Sequence, residues 1–286
     1  MDVRADRPAV RRALVMLARA IPRTGEQLPV IGMGTWATFD VGASRRDRDP
    51  LDAVLRTLFA AGARVIDSSP MYGRAEEVVG DELDRVAGPK PFLATKVWTS
   101  GKRAGIDQMR RSFERMRTPV MDLMQVHNLL DCQTHLPVLR ELKAAGTIRY
   151  LGVTHYQHDQ LGAIEQLMRG EQLDFIQIPY SIVDRAVETR ILPAARDTGT
   201  AVLVMTPLET GALFARVRGR ALPELAGELG CTSWAQLFLK FVIGHPAVTC
   251  AIPATAKPDH AADNARAGAG PLPDDAQRDQ LAALLE

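Results

Sequence analysis

Arg64-Val-Ile-Asp67, Phe92-Leu-Ala-Thr-Lys96 and Asp122-Leu-Met-Gln-Val-His127 are the stretches whose reading decides the fold. Each is a short apolar run ending on a charged or titratable side chain, and the loop Ser68-Ser-Pro-Met-Tyr72 follows the first. Short apolar runs bounded by turn signals read as buried strands. As successive parallel strands of one barrel, they bring Asp67, Tyr72, Lys96 and His127 together at its C-terminal rim, where barrel enzymes keep their chemistry. An acid, a phenol, an ammonium and an imidazole then share one pocket.

Working outward, further runs continue the pattern at Val30 to Met33, Ile148 to Val153, Phe175 to Ile178, Ala201 to Met205 and Val248 to Ile252, which makes eight strands. Between them lie segments with apolar residues at three- and four-residue intervals, as in Leu51, Val54, Leu55 and Leu58, the period of an amphipathic helix. These segments run over Leu51 to Ala61, Ala75 to Val86, Ile106 to Met116, His135 to Ala145, Asp159 to Met168, Thr189 to Asp197, Ser233 to Ile243 and Pro258 to Ala265. Gly62, Gly146 and Gly199 close three of them and read as left-handed C-caps leading into strands. Eight alternating pairs predict an α/β protein of the (β/α)8 TIM barrel class. Turn residues between apolar flanks at residues 20–30 predict an N-terminal β-hairpin closing the barrel bottom. Gly211 to Gly230 is an insertion after the seventh strand, and Asp274 to Glu286 reads as an extra C-terminal helix. The expected organisation is an extension over residues 1–19 and a single domain over 20–286.

With 286 residues, 46% of them hydrophobic and 24% charged, the chain has the composition of an ordinary globular protein. A formal net charge of +1 and the absence of long basic blocks give no bulk attraction to nucleic acid or to an anionic membrane. No run approaches the roughly 20 apolar residues of a membrane span. The expected partner is a small molecule, and a monomer is compatible with the sequence. Three cysteines, Cys132, Cys231 and Cys250, are too few and scattered for a zinc pattern or a disulfide framework, so no metal is expected and a reducing compartment, the cytoplasm, is. Cys250 sits in an apolar run and reads as core. Arg11-Arg12-Ala-Leu-Val-Met-Leu-Ala-Arg19-Ala has the look of a basic region followed by a short apolar stretch. As an export signal or its remnant it would place the protein in the periplasm instead.

The chain resembles the aldo-keto reductase family over almost all of residues 20–286. The resemblance lies in Gly32-Met-Gly-Thr-Trp36, Val65-Ile-Asp-Ser-Ser-Pro-Met-Tyr-Gly73, Ala94-Thr-Lys96, Val126-His127, Gly152-Val-Thr-His155, Gln177-Ile-Pro-Tyr180, Thr206-Pro-Leu208 and Ile252-Pro253 followed by Asp263-Asn264. Any one of these is weak; eight in order along one barrel are specific. The resemblance implies a (β/α)8 barrel that transfers hydride between a nicotinamide dinucleotide and a carbonyl or alcohol. It implies Asp67, Tyr72, Lys96 and His127 as the catalytic tetrad.

The tetrad also makes sense as chemistry. Hydride addition creates alkoxide charge, so the site needs a proton donor, and a free tyrosine has a pKa of about 10. Lys96 as an ammonium is expected to lower that of Tyr72, with Asp67 keeping Lys96 charged and His127 orienting the carbonyl oxygen.

The same resemblance implies the cofactor contacts. Thr154, His155 and Gln177 would hold the nicotinamide carboxamide, Met205 stands at the position that stacks on its ring, and Gly34, Thr35, Trp36, Asp67, Tyr180, Ile252 and Pro253 are further expected cofactor contacts. Thr206, Pro207, Leu208, Thr210 and Gly211 would cover the pyrophosphate. Thr255, Lys257, His260, Asp263 and Asn264 would hold the adenosine end. Several positions depart from the family pattern: Thr154-His155 replaces a common Ser-Asn pair, Met205 replaces a stacking aromatic, and Ala254 and His260 replace a frequent Lys and Arg. Lys257 remains as a cation for a 2′-phosphate, though without the bidentate fork of arginine. NADP(H) is therefore the favoured cofactor, with NAD(H) or dual use open.

Trp36 and Trp98, with Tyr72 and His127, are the expected walls of the substrate pocket, and Phe39, Leu213 and Phe214 are further candidates. An aromatic slot suits aldehydes or ketones of medium size. Two other functions fit parts of the pattern. One is a Schiff-base lyase using Lys96 as nucleophile, although an adjacent Asp67 would suppress it by keeping the amine charged. The other is a cofactor-binding regulatory barrel with little turnover.

Overall fold

The computed structural model describes residues 15–285. The chain enters through β1 (Ala18–Ala20), which pairs antiparallel with β2 (Gln27–Pro29), with Ala18 opposite Pro29 and Ala20 opposite Gln27. The hairpin thus begins two residues before the expected boundary at residue 20. Arg11 and Arg12 of the export-like segment lie outside the described residues, but its end is part of the folded unit. Arg19 donates through its guanidinium to the carbonyls of Ile243 (2.6 Å), His245 (2.7 Å) and Val248, a cation placed at the C-terminal end of a helix, where unpaired carbonyls need donors.

Eight parallel strands follow: β3 (Met33–Gly34), β4 (Val65–Asp67), β5 (Phe92–Val97), β6 (Met121–His127), β7 (Ile148–Thr154), β8 (Phe175–Pro179), β9 (Ala201–Met205) and β10 (Cys250–Ala251). They pair in sequence order. A bridge between Ile31 and Ala251 joins the two ends, with Gly32 N donating to Ala251 O at 2.8 Å and Ala251 N to Val30 O at 2.9 Å. The sheet is therefore a barrel, as expected. Its closing strands, β3 and β10, are shorter than the runs that predicted them. Gly32 is required at this seam, since a Cβ there would meet Val65 Cβ at 2.6 Å.

The outer layer is built from α1 (Arg45–Ala60), α2 (Ala75–Arg85), α3 (Lys102–Arg115), α4 (Cys132–Ala144), α5 (Leu161–Glu171) and α6 (Ile191–Thr198). The insertion after β9 carries two single-turn helices, α7 (Ala212–Arg216) and α8 (Glu224–Glu228). α9 (Trp234–Gly244), α10 (Pro258–Ala267) and the extra C-terminal helix α11 (Asp275–Ala283) complete the chain. Gly62, Gly146 and Gly199 do stand in left-handed conformations, with φ of 97°, 74° and 65°. α11 starts with a capping box between Asp274 and Gln277, which satisfies two otherwise orphaned backbone donors. No helix among the described residues is long and apolar enough to cross a membrane.

Side chains alternate across each strand, and this alternation divides the barrel interior into a dry floor and a polar rim. Val65, Ala94, Leu123 and Leu203 fill the floor with Phe92, Tyr150 and Phe175, whose ring centroids lie 5.4 to 5.9 Å apart. Ile21 and Leu28 of the hairpin plug it from below. Further along the same inward faces stand Asp67, Lys96, Gln125, His127, Thr154 and Gln177. The floor buries apolar area and holds the barrel together; the rim above it is where buried polar groups must find partners.

Candidate active site

Lys96 is wholly buried on β5, and its ammonium donates to Asp67 Oδ2 on β4 at 2.6 Å and to the Ser68 carbonyl at 2.7 Å. Asp67 takes a further hydrogen bond from Gln125 Nε2 at 3.3 Å. Thr35, just past β3, donates through Oγ1 to the Asp67 carbonyl and to Ser68 Oγ, both at 3.0 Å, so the end of β4 is braced from the neighbouring strand. Above this pair, Ser69-Pro70-Met71-Tyr72 forms a turn closed by Tyr72 N donating to Ser69 O at 3.0 Å, with proline where such turns favour it. The turn sets the Tyr72 ring 5.1 Å from Lys96 Nζ and edge-on to His127, with centroids 6.1 Å apart. His127 ends β6, and its Nδ1 lies 3.0 Å from Ser69 Oγ. The four expected tetrad residues are thus brought together.

Their protonation follows from burial and from each other. Burial opposes the charge on Lys96, but the neighbouring Asp67 carboxylate, and the Tyr72 oxygen after it, outweigh that and hold its pKa above the ordinary value. His127 is pushed down to about 3, first by burial and then by Lys96 and His155, so it is neutral. Tyr72 differs from expectation. Lys96 does favour its phenolate, but burial is the larger influence and Asp67 adds to it, so the phenol is raised above its ordinary value. Tyr72 therefore rests as an acid with its proton in place.

Across the rim, Thr154 and His155 end β7 and Gln177 lies on β8, all buried. Gln177 Nε2 is a buried donor with no partner among the described residues, which fits a site built to hold an amide oxygen from a ligand. Met205 ends β9 and faces the same interior. The loop after it takes Thr206, Glu209, Thr210 and Gly211 through left-handed conformations, with φ of 52°, 49°, 50° and 95°; such loops turn backbone N–H groups outward and suit phosphate. Thr255, buried ahead of α10, accepts from Lys257 N at 3.1 Å, and Lys257 caps that helix. His260 lies exposed in its first turns, and Asn264 is buried one turn further on.

Four expected residues are turned elsewhere. Tyr180 is buried in the outer layer, its hydroxyl held by Glu188 and Arg278 and its ring packed on Phe241, so it does not line the rim. Asp263 accepts from Ser233 Oγ and Gln236 Nε2, both at 2.5 Å, which ties α10 to the N-terminus of α9. Phe39 is fully buried in the core between barrel and helices, as is Leu213, whereas Phe214 is half-exposed against Phe238. The expected walls Trp36 and Trp98 are 54% and 41% exposed, and the Trp98 ring tilts towards His127 at 6.4 Å. Ser69 and Gln125 were not singled out from the sequence. Gln125 carried a readable signal, standing two residues before His127 and therefore on the same inward face; Ser69 carried none.

A model of the aldo/keto reductase family matches residues 30–285. Methylglyoxal reductase YeaE of Escherichia coli (strain K12) is 31% identical over 245 residues, covering 83% of this chain and 84% of that protein. The NADH-specific methylglyoxal reductase of the same organism is 30% identical over 224 residues, covering 68% of each. Among solved structures, an aldo/keto reductase from Klebsiella pneumoniae in complex with NADP and acetate superposes with a TM-score of 0.74 at 29% identity, covering 91% of this chain and 93% of that one.

Proposed function

The chain belongs to the aldo/keto reductase family, and from that premise we propose that it reduces aldehydes or ketones to alcohols with NADPH, using Tyr72 as general acid. The observation that carries the reading is the buried Lys96–Asp67 pair at 2.6 Å beneath Tyr72 and His127. A nicotinamide cofactor supplies the hydride. The protein's part is to receive the alkoxide charge that appears on the substrate oxygen. Tyr72 gives that oxygen its proton, Lys96 stabilises the phenolate left behind, and neutral His127 donates to the oxygen without competing for the proton.

The residues fit the cofactor. Gln177 Nε2, with Thr154 and His155, would hold the carboxamide; the left-handed loop from Thr206 to Gly211 would face the pyrophosphate; Thr255, Lys257, His260 and Asn264 would hold the adenosine end. NADPH is favoured by Lys257 and by the NADP-bound Klebsiella relative. Use of NADH is compatible with the NADH-specific Escherichia coli relative and with the single lysine that stands for a 2′-phosphate. Two relatives named for methylglyoxal make a small oxo-aldehyde the first substrate to try, and Trp36 and Trp98 leave room for aromatic aldehydes. Three free thiols suit the cytoplasm. An imine-forming lysine is disfavoured, because Asp67 keeps Lys96 protonated.

The test is Tyr72→Phe, followed by NADPH fluorescence titration and by aldehyde-dependent loss of reduced nicotinamide absorbance. Turnover should fall by about a hundredfold or more, as for loss of a general acid, with the dissociation constant for NADPH within about twofold of wild type. Retained turnover in this variant would remove Tyr72 from the role. Absence of nucleotide binding by the wild-type protein would remove the reductase reading altogether.

A further inference from the structure

Ser69 is buried, and it makes two contacts that together touch both halves of the rim. Its carbonyl closes the turn that delivers Tyr72, and its hydroxyl lies 3.0 Å from His127 Nδ1. Met71 N also approaches Ser69 Oγ, at 3.5 Å, as a donor. We propose that Ser69 is a positioning residue for carbonyl reduction: its hydroxyl donates to His127 Nδ1 and so fixes the tautomer that presents Nε2–H to the substrate oxygen. The kinetic part of this rests on the reductase reading above; the tautomer part does not.

The direction of the Ser69–His127 bond follows from counting donors. Ser69 Oγ has one proton to place, and among the described residues no other acceptor lies within hydrogen-bonding distance of it. If Nδ1 carried the proton and donated to Ser69, the buried hydroxyl would leave its own hydrogen unpaired, which is unfavourable. If Ser69 donates, its hydroxyl hydrogen and His127 Nδ1 satisfy each other and the ring proton moves to Nε2. His127 Nε2 has no partner among the described residues and is not among their fully enclosed polar atoms. It is therefore free to donate to a ligand. The groups around the ring are Tyr72, Trp98, Lys96 and His155, and burial with Lys96 and His155 keeps the imidazole neutral, so tautomer choice decides whether the rim offers a donor or an acceptor.

The experiment is a two-bond 1H–15N correlation spectrum of the histidine side chains in the full-length protein, with His127 assigned by His127→Gln. Wild type should show the Nε2–H pattern, and Ser69→Ala should lose it in favour of a tautomer mixture. Aldehyde reduction by Ser69→Ala should fall about tenfold in kcat, less than the loss of a direct transition-state donor, with NADPH affinity within about twofold. Ser69→Thr, which keeps the hydroxyl, should restore the spectrum and most of the rate. An Nδ1–H pattern in wild type would overturn the inference without any variant, as would an unchanged spectrum in Ser69→Ala. The Nε2–H pattern, lost in Ser69→Ala in a protein that reduces no carbonyl, would overturn the reductase reading and leave the Ser69 lock standing.

Discussion

Replacing Asp67 with Asn tests the centre of the rim, because it removes one charge of a pair in which neither partner reaches water. The side chains of Lys96 and Asp67 are 0% and 4% exposed, so the scale for surface ion pairs does not apply. Removing one partner of a buried pair typically costs about 3–5 kcal/mol, since the remaining charge is left without compensation. Asn keeps an oxygen that can accept from Lys96 or Gln125, and the Ser68 carbonyl still accepts from Lys96 at 2.7 Å, which argues for about 3 kcal/mol, the low end of that range. In a chain of this length that is roughly 5 °C in Tm. The pH dependence has a definite sign. In wild type the folded pKa of Lys96 lies above its unfolded value, so its contribution is complete below pH ~10 and is lost as pH rises through the folded pKa. In Asp67→Asn, burial acts without the carboxylate and the folded pKa falls below the unfolded value. The unfolded chain then binds more protons, and the variant gains stability as pH rises towards about 10. Urea unfolding of both proteins from pH 7 to about 10 reads this directly as a deficit that narrows with pH. The double variant Asp67→Leu with Lys96→Met should recover most of the loss, because neither charge is then buried. A deficit under about 1 kcal/mol, the scale of an exposed pair, or one that widens with pH, would refute the reasoning.

Gln177→Leu removes a buried donor that has no partner among the described residues; the empty protein should be as stable as wild type or about 1 kcal/mol more so, while NADPH binds roughly tenfold more weakly, read by thermal melts and fluorescence titration. Gly152→Ala places a Cβ 2.5 Å from the Phe175 carbonyl on the adjacent strand, which cannot rotate away, so a loss of about 3 kcal/mol and weakened cofactor binding through Thr154 and Gln177 are expected in the same assays. His127 has a folded pKa of about 3, below its ordinary 6.5, so its contribution is present above pH ~6.5 and is lost as pH falls towards 3. His127→Gln should flatten the acid side of the stability curve, and an unchanged acid slope would contradict the assigned burial.

The barrel was legible because its strands sit fully inside the protein and so read as unbroken apolar runs, and because glycine at φ of 97°, 74° and 65° marks three helix ends that no other residue tolerates as easily. The tetrad was legible because each member terminates such a run. Residues whose role depends on which way a side chain turns were not. Tyr180 and Gln177 are three positions apart across the end of β8, yet one is held outside by Arg278 and Glu188 and the other faces the rim. Asp263 stands in a segment that reads as adenosine-binding, and its carboxylate is drawn to Ser233 and Gln236 across a helix contact no local pattern encodes. Arg19 stands in a stretch with the look of an export signal, and nothing local shows its structural role, because its partners, the carbonyls at the end of α9, are more than 220 residues away.

Withdrawal from water acts on Lys96 and Tyr72 with different outcomes, set by the carboxylate beside them. Burial alone would neutralise Lys96; Asp67 reverses that, so the ammonium survives. Burial also raises Tyr72, and the same Asp67 raises it further, so the cation that would stabilise a phenolate does not create one at rest. On the proposed chemistry this separation is useful. A phenolate formed in advance would have no proton to give, whereas a phenol 5.1 Å from a fixed ammonium, measured at its ring centre, gains electrostatic help only as its proton leaves. Stabilisation that appears as the charge develops acts on the transition state and not on the ground state. On that chemistry Tyr72, Lys96 and Asp67 would operate as a sequence in which the carboxylate holds the cation, the cation waits for the phenolate, and burial keeps the acid loaded until a carbonyl accepts its proton.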